Sequence, residues 1–120
     1  MAGITFQVLK YDPSIGAPDS VLLNAVTNGN YTTGVGGTTV DLNPAKFADP
    51  KGVGILGQPL NQPVTPPSIE TCALANGVYA QLTPGATLNA NKITLWNSEG
   101  SEFGTGAYPA GTLVVRLPLR

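Results

Sequence analysis

The chain has 120 residues with six cationic and seven acidic side chains, a formal charge of −1, no histidine and one cysteine, while 15 glycines and 11 prolines punctuate its short apolar runs. The missing histidine removes the usual general base, the usual proton shuttle and the commonest metal ligand together, which argues against most enzyme classes. The cations Lys10, Lys46, Lys51, Lys92, Arg116 and Arg120 are scattered, so no basic stripe offers counterion release, and nucleic acid is not an expected partner.

An apolar fraction of 42% argues against disorder and predicts one folded domain over residues 1–120. No apolar run approaches the roughly 20 residues of a membrane-spanning helix. The start Met1-Ala2-Gly3-Ile4-Thr5-Phe6 lacks the pattern of a secretory leader, and Cys72 has no second cysteine to pair with. Both features predict synthesis in a cytoplasm.

Ile4, Phe6 and Val8 alternate with Thr5 and Gln7, predicting a half-buried strand that ends in the loop Asp12 to Pro18. Ser20 to Val26 reads as a second strand, and Thr27-Asn28-Gly29-Asn30 as a hairpin turn or tight corner. Tyr31 to Gly37 is too rich in glycine for a regular strand and predicts a flexible or bulged loop, before a short β-branched strand over Thr38 to Leu42.

Asn43-Pro44 predicts an N-cap with proline at the first helical position, and Pro50 limits it to one short turn. Gly52 to Gly57 reads as a short strand, and Gln58 to Ser68, with Pro59, Pro63, Pro66 and Pro67, as an extended run lacking donors. Ile69 to Ala75 fits a strand slightly better than a helix, and Cys72 reads as a small core residue.

Asn76-Gly77 leads into the strand Val78 to Thr83, the turn Pro84-Gly85, and then Ala86-Thr87-Leu88 and the strand Lys92 to Trp96 as a hairpin. Asn97 to Glu102 is a polar loop, Phe103 to Ala110 a glycine-rich aromatic segment, and Gly111 to Leu117 a last strand apolar enough to be central. The expected fold class is all-β, a compact antiparallel β-sandwich or small β-barrel with extended termini and an irregular Pro/Gly-rich middle.

The candidate chemistry is thin. Asp12, Asp19, Asp41, Asp49, Glu70, Glu99 and Glu102 are all the acids, and no spacing singles out a catalytic pair. Asn97 to Glu102 lacks the register of a calcium loop, Gly34 to Gly37 and Gly52 to Gly54 precede no helix that would receive a phosphate, and Asn30-Tyr31-Thr32 matches a glycosylation sequon without a secretory route. No catalytic, cofactor or metal residue is assigned. The aromatic residues Trp96, Tyr31, Tyr79, Tyr108 and Phe103 offer either a sugar-stacking platform or core filling, with Trp96 and Tyr79 read as core.

Tyr31-Thr32-Thr33-Gly34 with Gly36-Gly37, and Gly104-Thr105-Gly106-Ala107-Tyr108-Pro109-Ala110 before the last strand, resemble small virion proteins of tailed bacteriophages, above all head decoration (cement) proteins. The resemblance implies a non-catalytic all-β protein on the outer face of the virion capsid. Its partner would be the major capsid protein, whose neighbouring capsomers it ties together, and it would assemble with itself as a trimer or dimer. Contacts with neighbours are then expected at the termini, Met1, Ala2, Gly3 and Ile4 with Leu117, Pro118, Leu119 and Arg120, and at Pro59, Pro63, Pro66 and Pro67. Other readings are a tail, fibre or head-completion component, and a carbohydrate-binding module of a host-attachment apparatus using Trp96 and Tyr108.

Overall fold

Alternating apolar side chains over Gly3–Asp12 form strand β1, and a computed structural model of the chain, describing residues 3–13, 15, 19–62 and 64–120, places Ile4, Phe6 and Val8 of this strand in the core. Met1, Ala2 and Pro63, three of the expected contact residues, lie outside the described residues. The other strands are β2 (Ser20–Asn28), β3 (Asn30–Tyr31), β4 (Thr38–Val40), β5 (Ser68–Leu74), β6 (Tyr79–Thr83), β7 (Asn91–Trp96), β8 (Gly106–Ala107) and β9 (Gly111–Pro118). Helical structure among the described residues is confined to single 3-10 turns, so the protein is all-β.

Two sheets face each other. The larger has the order β1-β2-β9-β5 and the smaller β4-β7-β6, all antiparallel, while β3 and β8 make a two-stranded ribbon. The inner faces share one apolar cluster, with Phe6, Leu23, Val115 and Leu117 from the larger sheet and Val40, Ile93 and Leu95 from the smaller. Among the described residues no ladder joins the two sheets, so the layers form a sandwich rather than a closed barrel. Strand β9 lies between β2 and β5, the central position its apolar run predicts.

The middle of the chain departs from expectation. Gly52, Gly54 and Gly57 all adopt positive φ, which breaks a strand over this stretch, and the segment crosses loops instead. It is anchored at intervals: Ala48 exchanges backbone hydrogen bonds with Phe6 and Val8 along the β1 edge, and Leu60 N–H donates to the Pro118 carbonyl. Gln62 reaches the buried Asn91, whose Oδ1 accepts from Gln62 Nε2 at 2.7 Å and from Gly85 N–H at 3.0 Å while its Nδ2 donates to the Leu88 carbonyl at 2.9 Å. One polar side chain thereby ties the proline-rich run to the β6–β7 connection, which is longer than a Pro84-Gly85 turn and contains a 3-10 turn over Leu88–Ala90.

The expected single helical turn is present over Pro44–Lys46, with the Asn43 side chain accepting from Ala45 N–H. At Asn28-Gly29 only the glycine takes positive φ, and the chain turns a corner from β2 into β3, which pairs with β8. Both residues of Asn76-Gly77 take positive φ, as a type I′ turn requires, and here they carry the chain from the larger sheet to the smaller.

Candidate functional site

The two motifs that carry the resemblance meet in space. Ribbon pairing sets Tyr31 opposite Gly106 and Asn30 opposite Ala107, at the end of the sandwich where β2 finishes and β9 begins. Tyr31 is fully buried, with edge-on ring contacts to Phe103 and Tyr108. Its hydroxyl donates to Glu102 Oε2 at 2.6 Å and accepts from Leu95 N–H at 3.3 Å. Burial, reinforced by the Glu102 carboxylate, pushes the Tyr31 pKa up to about 12.

The surrounding bonds knit the glycine-rich loops to this core. Glu102 Oε1 accepts from Gly34 N–H, Thr33 N–H donates to Thr105 Oγ1, the Thr33 hydroxyl donates to the Phe103 carbonyl, and the Thr38 hydroxyl bonds Tyr108. Gly37 is buried against β7, where an added Cβ would lie 2.8 Å from the Ile93 carbonyl oxygen. The expected flexible loop is therefore a locked one, and Tyr31, Phe103 and Tyr108 hold the frame together.

The other two aromatic residues go outward. Tyr79 is 46% exposed and Trp96 half-buried, which corrects the reading of both as core. They face each other across the β6–β7 ladder and line an open depression of about 430 Å³ with Gln81 and Gly100. The partly open recess lined by Tyr108, Leu74 and Leu113 measures about 40 Å³, room for a few waters at most.

Strand β5 is the most exposed long strand. From Glu70 to Ala73 every side chain is exposed, so Cys72 is a surface residue, contrary to its reading as core. β5 is an edge strand that pairs with β9 on one side only, and of its side chains only Ile69 and Leu74 pack partly against the core. Ala75 N–H donates to the Ala110 carbonyl at 2.7 Å. Counting back by twos along the antiparallel ladder, Ala73 and Thr71 turn their backbone groups toward β9 while Cys72 and Leu74 turn theirs outward. Among the described residues no backbone hydrogen bond meets that outward rim. By contrast, the β1 edge is bonded to Ala48.

Of the expected contact residues, Ile4, Leu117, Leu119 and Pro67 are buried, and Leu117 and Leu119 belong to the chain's own core. Leu119 N–H donates to the Asp19 carbonyl, Arg120 N–H to the Gln58 carbonyl, and Pro59 bridges Leu119, so the last residues are held against this chain rather than extended from it. The side chains of Ile4, Leu117 and Leu119 are thereby withdrawn from contact with neighbours. Gly3, Pro59 and Pro118 are partly exposed, and Pro66 and Arg120 are exposed. Within the proline-rich run Val64 is 86% exposed, and exposed apolar side chains outside the expected contact residues include Leu56 of the middle segment at 64%, Ile15 and Val35.

Six of the seven acids, Glu102 included, have structural partners. Asp12 and Glu70 clasp Arg116 at 2.8 and 2.9 Å across the outer face of the larger sheet, Asp49 accepts from the Val53 and Gly54 N–H groups, Asp41 accepts from Asn43 N–H, and Asp19 accepts from the Tyr11 hydroxyl. The Arg116 guanidinium holds the Glu70 carboxyl below its usual range, and the hydrogen bond to the Asp19 carboxylate raises Tyr11. In the loop Asn97 to Glu102 the Asn97 side-chain oxygen accepts from Glu99 and Ser101 N–H. Among the described residues no group of three His, Cys, Asp or Glu could hold a metal ion, and no helix is long and apolar enough to cross a membrane.

Compared with known proteins, the chain matches no family model, no curated protein and no solved structure.

Proposed function

We propose that the protein is a non-catalytic cement protein of a bacteriophage head, which binds the outer face of the assembled capsid and ties neighbouring major capsid proteins together. The observation that carries this reading is the β5 edge: beyond the register shift at the acidic Glu70, the strand is exposed and uncharged, with an unoccupied backbone rim at Cys72 and Leu74 and neither lysine nor proline along it. Isolated proteins usually guard such edges with charges or proline, because a bare rim accepts another strand. A neighbouring subunit that adds a strand there gains main-chain hydrogen bonds, and repetition of a modest contact over a shell gives high avidity.

The rest of the molecule suits this role. Charge is low, and Asp12, Asp41, Asp49, Glu70 and Glu102 are engaged in holding the frame rather than converging on a cleft. Exposed Leu56 and Val64 add apolar surface to the irregular segment that precedes β5.

Co-sedimentation of the purified protein with head shells that lack it tests the proposal. Binding should saturate at a fixed ratio to the capsid protein and fall sharply for Cys72→Lys, which places a charge on the β5 edge while leaving the core untouched. Failure of the wild-type protein to pellet with shells would refute the proposal. Undiminished binding by Cys72→Lys would refute the edge as the contact.

A further inference from the structure

The geometry points to the outer face of the β6–β7 hairpin as a binding site for a neutral oligosaccharide, a site separate from the β5 edge and independent of the docking reading above. Strand alternation and register place Tyr79 beside Trp96, Gln81 beside Thr94, and Thr83 beside Lys92 on this one face, because Ala80, Leu82, Ile93 and Leu95 point into the core. The result is an open sheet surface with two aromatic residues at one end and a ladder of amide and hydroxyl groups leading away from them.

Three observations favour a sugar. First, Trp96 Nε1 donates to Gln81 Oε1 at 3.2 Å, which fixes the indole and leaves the Gln81 amide hydrogens for a ligand. Second, with Tyr31, Phe103 and Tyr108 engaged in the core, Tyr79 and Trp96 remain at the surface, where they line the 430 Å³ depression. Aromatic rings exposed beside uncharged hydrogen-bonding groups match a pyranose, which presents C–H groups on one face and hydroxyls around its rim.

Third, Lys92 is the one charged residue that β6 and β7 contribute, and its ammonium leans to the Gly36 loop, where a Cβ on Gly36 would lie 3.6 Å from Nζ. A single cation at the far end of the ladder makes no phosphate track, which disfavours nucleic acid. A proline-rich peptide also packs on aromatic rings and offers carbonyl acceptors, but its prolines, unlike a pyranose with its ring of hydroxyls, bring no donors for the Thr83 and Thr94 oxygens.

Trp96 is the only tryptophan in the chain, so its emission reports directly on occupancy. Titration with dextran, laminarin, mannan and hydroxyethylcellulose, read by Trp96 fluorescence and by retardation in native gels containing each polysaccharide, is the experiment. At least one polysaccharide should shift the emission saturably and retard the protein. Tyr79→Ala, an exposed position whose loss spares the fold, should weaken that binding about tenfold or more, and Trp96→Ala should abolish retardation. Absence of both signals with every polysaccharide would overturn the proposal, as would full retention of binding by Tyr79→Ala. Saturable binding of a polyproline peptide in place of any polysaccharide would assign the face to peptide.

Discussion

The sandwich treats its aromatic residues in two opposite ways. At the ribbon end, Tyr31 is sealed beneath Phe103 and Tyr108 with its hydroxyl shared between Glu102 and Leu95, whereas Tyr79 and Trp96 lie on an open sheet face with one side-chain hydrogen bond from the indole. Similar side chains therefore serve stability in one place and availability in the other. The difference comes from register: Tyr31 opposes a glycine across a two-residue ribbon and turns inward, while Tyr79 opposes Trp96 on the solvent side of a hairpin.

The sharpest way to break this comparison is to remove the buried ring. Tyr31→Ala should destabilise the fold by about 3–5 kcal/mol in urea unfolding, the scale for deleting a fully buried aromatic side chain. A loss within experimental error would mean that the ribbon end is not a structural lock.

Alkali tests the same hydroxyl without removing the ring. The folded pKa of about 12 lies above the ordinary tyrosine value of 10.0, so this contribution is complete below pH 10 and is lost as pH rises through about 12. A difference of this size corresponds to about 3 kcal/mol. Tyr31→Phe should flatten that alkaline fall, and at neutral pH it should cost about 1–3 kcal/mol because the Leu95 N–H loses its acceptor.

Acid tests the outer face of the larger sheet. Glu70 is held below its ordinary value by Arg116, so its stabilising contribution is present above that ordinary value, near 4.5, and is lost as pH falls through the lower folded value. Arg116→Met should reduce the acid dependence, with a smaller effect than either change at Tyr31, since the pair is partly solvated. The smallest effect belongs to the exposed aromatic face: Tyr79→Ala should leave stability within about 0.5 kcal/mol of wild type.

The sequence is most legible where one face of a strand is wet and the other dry. Ile4, Phe6 and Val8 mark β1 by alternation, and the continuous run Leu113 to Leu117 marks β9 as central. Legibility fails where the backbone rather than hydropathy decides, as at Gly52, Gly54 and Gly57, whose apolar neighbours suggest a strand that positive φ forbids. It also fails for position within a sheet. Cys72 has a core-like side chain, but only the strand order reveals that β5 is an edge, and nothing in its local pattern distinguishes it from a covered strand. Likewise Asn91 is the polar hub of the middle segment: it is buried in phase with Ile93 and Leu95, but an amide at the start of a strand carries no apolar signal along the chain.

Terminal position suggests free arms, but Leu117 and Leu119 carry apolar side chains that complete the core, while Pro66 and Arg120 stay exposed. Size suggests core positions for Tyr79 and Trp96; the register sets them opposite each other on the outer side, because Ala80, Leu82, Ile93 and Leu95 share the inner face.

The proposed role is tested most directly by imaging capsid shells saturated with the protein by cryo-electron microscopy and locating β5 in the bound copies. The cement reading predicts regular occupancy at symmetry-related sites on the outer surface, with β5 against a neighbouring subunit. Empty shells would contradict that role, and ordered copies with β5 facing solvent would contradict the edge as the point of attachment.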